Sequence, residues 1–85
     1  MTPPRVAPAP SALLRPRPAR VRAGATGRPE RIDGRPVEQV RESWLVEDRW
    51  WTAQPLRRRY WEVVTSAGRN EVVFHDLETG AWLRQ

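Results

Sequence analysis

The chain has 85 residues, a formal net charge of +5 and no cysteine. That length allows one small domain, and without cysteine neither a disulfide nor a thiolate metal site can staple it. No run of about 20 apolar residues occurs, so no transmembrane helix is expected, and a reducing, cytoplasmic setting is compatible with the composition.

The charge is unevenly distributed. Eight of the nine prolines precede Val37. Up to Pro29 the chain has six arginines and no acid, whereas from Glu30 onward nine arginines meet ten acids. A proline-rich, like-charged stretch without aromatic residues buries too little apolar surface to offset its ordering entropy. This predicts a disordered arm over residues 1–30 and a compact tryptophan-rich module over 31–85. Within the arm, Arg15, Arg17, Arg20, Arg22 and Arg28 alternate with proline and small residues, as in a cationic tether for phosphate backbones or an acidic protein surface. The plain alternative is a solubilising tail, and the complete absence of lysine points to compositional bias. Val6 to Leu14 sits where a signal-peptide core would, but Pro8 and Pro10 interrupt it.

Alternation of apolar and polar residues then predicts a meander. A first strand spans about residues 38–47, with Val40, Trp44 and Val46 on one face. Val37, Val40, Trp44 and Leu45 also fit helical spacing, but Arg35-Pro36 disfavours a helix upstream, and Trp44-Leu45-Val46 suits a pleated surface. A second strand over 57–65 places Trp61 and Val63 on one face and Tyr60 and Val64 on the other. Gly68 supplies a positive φ for a tight hairpin into a third strand over 71–76. Asp76-Leu77-Glu78-Thr79-Gly80 is a turn with a glycine bulge, leading into a short last strand through Trp82 and Leu83. The expected fold is small and mainly β, a three- to four-stranded antiparallel meander preceded by the arm.

Residues that could carry catalysis are scarce. His75 is the single histidine, which rules out a histidine pair. Asp76 and Glu78 flank a turn, where aspartate is favoured for bonding backbone amides. Glu47 and Asp48 adjoin Arg49 as a solvated charged turn, and the glycines at 24, 27, 34, 68 and 80 form no phosphate-cradling loop. The expectation is a protein that is not an enzyme and holds no cofactor and no metal.

Binding has better candidates. Trp50 and Trp51 precede Leu56-Arg57-Arg58-Arg59-Tyr60-Trp61 across a loop containing Pro55. Arginines contact phosphates and aromatic faces stack on bases, the chemistry of single-stranded nucleic-acid binding. Against this, a small module needs its tryptophans as core, and arginine stems cover apolar surface. Trp44, Trp61 and Trp82 fit the core. Trp50 and Trp51, adjacent on an extended chain, point to opposite faces, so one of them is a candidate contact residue.

The series Glu42-Ser43-Trp44-Leu45-Val46, Trp50-Trp51, Arg59-Tyr60-Trp61-x-Val63, Gly68, Val73-Phe74-His75-Asp76 and Gly80-x-Trp82-Leu83 resembles the C-terminal module of ImuB-type proteins. Those are catalytically inactive relatives of Y-family DNA polymerases that act with ImuA-like and DnaE-like partners in bacterial translesion synthesis. Short free-standing bacterial proteins of unknown function carry a similar module. The resemblance spans about residues 42–84 and implies a small β domain making protein contacts within a repair assembly, with no activity of its own. His75 stands where the resemblance leads one to expect arginine. The leading expectation is thus a repair-associated interaction module with a protein partner. The alternatives are a single-stranded nucleic-acid-binding regulator and a structural or interaction protein with no nucleic-acid role.

Overall fold

The computed structural model describes residues 15–49 and 51–85. They form seven strands, β1 (Arg17–Pro18), β2 (Val21–Ala23), β3 (Pro29–Ile32), β4 (Arg35–Asp48), β5 (Leu56–Thr65), β6 (Arg69–Asp76) and β7 (Trp82–Arg84), and one 3-10 turn at Ser66–Gly68. No α-helix occurs among the described residues, so the helical alternative for residues 37–45 is excluded. Every pairing is antiparallel, in the order β1-β7-β6-β5-β4-β3-β2.

That order forces the sheet to curl. β1 and β2 stand at its two ends, yet three Cα steps of about 3.8 Å join Pro18 to Val21, a reach of at most about 11 Å. Seven flat strands about 4.8 Å apart would separate the same ends by about 29 Å. The segment from Arg17 to Ala23 therefore acts as one bent strand that changes partner. The Ala19 amide donates to the Trp82 carbonyl at 3.1 Å, while the Arg20 carbonyl accepts from the Asp33 amide at 2.7 Å. With β1 and β2 counted as one bent strand, six strands close on themselves, an even number, as antiparallel closure requires.

The strand count thus differs from the expected three or four. Residues 15–30, assigned to the arm, contribute β1, β2 and the start of β3, while residues 1–14 lie outside the described residues. The reason is local. Asp33 and Gly34 take φ of 50° and 82°, the positive values that a two-residue hairpin turn demands, and they fold β3 onto β4 with Ile32 opposite Arg35. Gly27 at φ 86° donates to the Gly24 carbonyl at 3.0 Å and turns β2 into β3. Pro29 opens β3 where the register to β2 shifts, a position where a missing N–H is tolerated.

From β5 onward the structure follows the expected meander. Gly68 has φ 72° in the β5–β6 turn. Gly80, at φ 82°, donates to the Asp76 carbonyl at 2.7 Å, and Asp76 Oδ1 accepts from the Glu78 and Thr79 amides at 2.9 and 3.1 Å.

Ile32, Val63 and Val73 form the buried centre, with Val21, Val37, Val40, Trp61 and Trp82 packed around it. Val40 lies opposite Val63, but Trp44 lies opposite Tyr60, so these two residues face opposite sides, contrary to the expected common face. An irregularity between Val40 and Glu42 inserts one residue and inverts the alternation. Trp44, Tyr60 and Phe74 instead make an aromatic row on the other face. Trp44 stacks on Tyr60 at 5.3 Å and 4°, and Tyr60 meets Phe74 at 4.9 Å.

One acid ties the closed sheet together. Glu71, with a side chain 12% exposed, pairs with Arg35 at 3.3 Å and Arg84 at 3.6 Å, and accepts from the buried Thr65 hydroxyl at 2.9 Å. Arg84 also pairs with Asp33. The cluster links β4, β5, β6, β7 and the β3–β4 turn. Replacing Glu71→Gln removes the charge that two guanidiniums share. Discounted for their partial exposure, the loss is expected to cost about 1–3 kcal/mol, a melting point lower by about 4–8 °C per kcal/mol in calorimetry. Ile32→Ala is expected to cost about 2–5 kcal/mol in chemical denaturation; a cost below about 0.5 kcal/mol would show that β3 is not part of the core.

Candidate functional site

The arginine-aromatic tract on β5 is split by strand alternation. Arg57 and Arg59 share a face with Trp61, while Arg58 and Tyr60 share the other. Tyr60, singled out from the sequence for binding, is buried between Trp44 and Phe74, which removes its ring from contact with a ligand. Arg58 lies 4.5 Å above the Phe74 ring and donates to the Tyr60 hydroxyl at 3.4 Å, so it covers the aromatic row. Arg57 pairs with Glu47 at 3.0 Å and Glu78 at 3.9 Å. Arg59 is half-buried between Leu45 and His75 in the sheet register. The tract does not present a continuous stacking platform.

Trp50 lies outside the described residues. Trp51, in the β4–β5 loop, is 66% exposed, whereas Trp44, Trp61 and Trp82 are half-buried, the division the sequence favoured. The loop is shaped by Arg49 at φ 52°, whose carbonyl accepts from the Thr52 amide and hydroxyl at 3.0 and 2.8 Å. His75 stacks on Trp82 at 4.4 Å and 2°, and its Nε2 lies 3.2 Å from the Gly80 carbonyl.

Two surfaces emerge. The exposed large apolar side chains, Leu45 at 40%, Trp51 at 66% and Leu77 at 38% exposure, all lie toward the β4–β5 hairpin end. Register places Leu45, Glu47, Arg57, Arg59 and His75 on one face, and the Leu77 amide bonds to the Arg57 carbonyl at 2.9 Å. The second surface is basic. Arg17 and Arg22, expected in a free arm, are strand residues opposite Arg84 and Arg31. Arg20 sits at the change of partner, and Arg15 is exposed just before β1. Arg31 was not singled out from the sequence; the Asp33-Gly34 hairpin signal, which folds its strand back, could have found it.

Among the described residues no group of three or more His, Cys, Asp or Glu side chains is placed to hold a metal, and no helix is long and apolar enough to cross a membrane.

The tract's two roles separate on substitution. Tyr60→Ala is expected to cost about 3–5 kcal/mol of unfolding free energy, because it empties the aromatic row. Arg57→Ala, which breaks exposed pairs, is expected to change it by less than about 1 kcal/mol. Urea denaturation of both variants measures the difference.

Comparison with protein-family models, curated proteins and solved structures returns no match to this chain.

Proposed function

We propose that the chain is a non-enzymatic interaction module that docks a protein of a bacterial DNA-repair or translesion-synthesis assembly through its hairpin end. The observation that carries this reading is the exposure of Leu45, Trp51 and Leu77, which all lie toward the β4–β5 hairpin end of the sheet. Exposed apolar side chains beside arginine and tryptophan have the composition of interface hot spots. The class of partner comes from the resemblance to the ImuB-type module, whose implied contacts are with ImuA-like and DnaE-like proteins. A binding rather than chemical role accords with His75 being engaged with Trp82 and Gly80, and with Asp76 being used to cap its own turn.

Immobilised full-length chain, presented with purified ImuA-like and DnaE-like proteins, is expected to retain at least one of them with little dependence on salt, as an apolar contact requires. Leu45→Asp combined with Leu77→Asp is expected to weaken retention at least about tenfold, which corresponds to about 1.4 kcal/mol, while circular dichroism stays that of the parent. Absence of binding to both proteins would contradict the proposal.

A further inference from the structure

The bent strand brings three arginines into one depression. Arg20, Arg22 and Arg31 line a recess of about 520 Å³ whose walls include Trp82 and Gly34. Arg22 and Arg31 stand directly opposite each other across β2 and β3, with a register shift immediately after Arg22. Like charges directly opposed on an antiparallel pair are destabilising. Among the described residues, no carboxylate lies within ion-pairing distance of any of the three, as for most arginines outside Arg35, Arg57 and Arg84; what sets these three apart is that they share one recess. Of the two acids nearby, Asp33 is already engaged, with Oδ1 accepting from the Arg20 amide at 2.9 Å and Oδ2 meeting Arg84, and Glu30 lies against Gly24 without an ion pair to any of the three arginines. Arg31 is held in place by its bond from Nη1 to the Gly34 carbonyl at 2.8 Å. The repulsion is built into ordered strands, and an anion entering the recess relieves it.

We infer that this recess binds the phosphodiester backbone of a single-stranded nucleic acid. Residues two apart on a strand are separated by about 6.6 Å, so Arg20 and Arg22 are spaced on the scale of successive phosphates in an extended strand. Guanidiniums suit such ligands because their donors match phosphate oxygens in pairs. Trp82 supplies an apolar wall, but one of its faces is covered by His75 and it packs against the core. The contacts are therefore to phosphates and independent of sequence. This site uses other residues than the protein-docking hairpin end and stands or falls separately from it.

The test is fluorescence anisotropy of a labelled single-stranded oligothymidylate titrated with the full chain at several salt concentrations. Binding is expected at low salt, weakening as salt rises with a log-log slope of about 0.7 per neutralised phosphate, hence about 2 for three arginines. Arg22→Ala with Arg31→Ala is expected to lower affinity at least tenfold and reduce the slope by about 1.4. Its melting point should be unchanged or higher, because a repulsive pair is removed. Arg22→Lys with Arg31→Lys should keep the slope, and Arg69→Ala, at an exposed position where β6 begins, should bind like the parent. No binding at low salt, or an alanine double variant indistinguishable from the parent, overturns the inference. Equal competition by polyglutamate, or saturation by inorganic phosphate without oligonucleotide binding, overturns it as well.

Discussion

The structure depends on a change of hydrogen-bonding partner within a single short segment. Between Ala19 and Arg20 the chain stops bonding to β7 and starts bonding to the β3 side, joining the two ends of the sheet. Without this segment, β7 with three residues and β3 with four would be edge strands. Short terminal strands with an open edge contribute little independent stability and invite pairing with other chains. With it, a unit having few fully buried apolar residues surrounds them on all sides. The proline content fits the same constraint. Pro18 ends β1 at the bend and Pro29 begins β3 at the register shift, both places where a strand can lack one N–H.

Closure also determines where the charge goes. Arginines that would trail in solution are fixed on the barrel wall, where Arg17 faces Arg84 and Arg22 faces Arg31. The first pairing is offset, because Arg84 reaches both Asp33 and Glu71. The second has no carboxylate within ion-pairing distance among the described residues. The ion pairs thus divide the arginines into those that tie strands together, Arg35 and Arg84 above all, and those without an ion pair among the described residues.

Much of the second half was legible because its signals are local. The turns at Gly68 and Asp76–Gly80, the pairing of β5 with β6, and the opposite faces of Tyr60 and Trp61 follow from alternation and turn chemistry. The common face of Val40 and Trp44 was not legible, since one inserted residue inverts alternation and leaves no compositional trace. β1 to β3 were hidden by composition, as proline and like charge outweighed the apolar signal of isolated Val21 and Ile32. Asp33-Gly34 is a strong short-range hairpin signal, but no apolar alternation flanks it on the β3 side. The site divides similarly. Trp51 and the arginines were visible as residue types, but the burial of Tyr60 and the encounter of Arg22 with Arg31 are products of register.

Amide hydrogen exchange across the bent strand tests barrel closure most directly. If Arg17 to Ala23 join the two ends of the sheet, the amides of Ala19 and Asp33, whose bonds flank the change of partner, should be protected to an extent approaching Val73 and Phe74 in β6. Exchange of those two amides at the rate of an unstructured chain, while β5 and β6 remain protected, would contradict it.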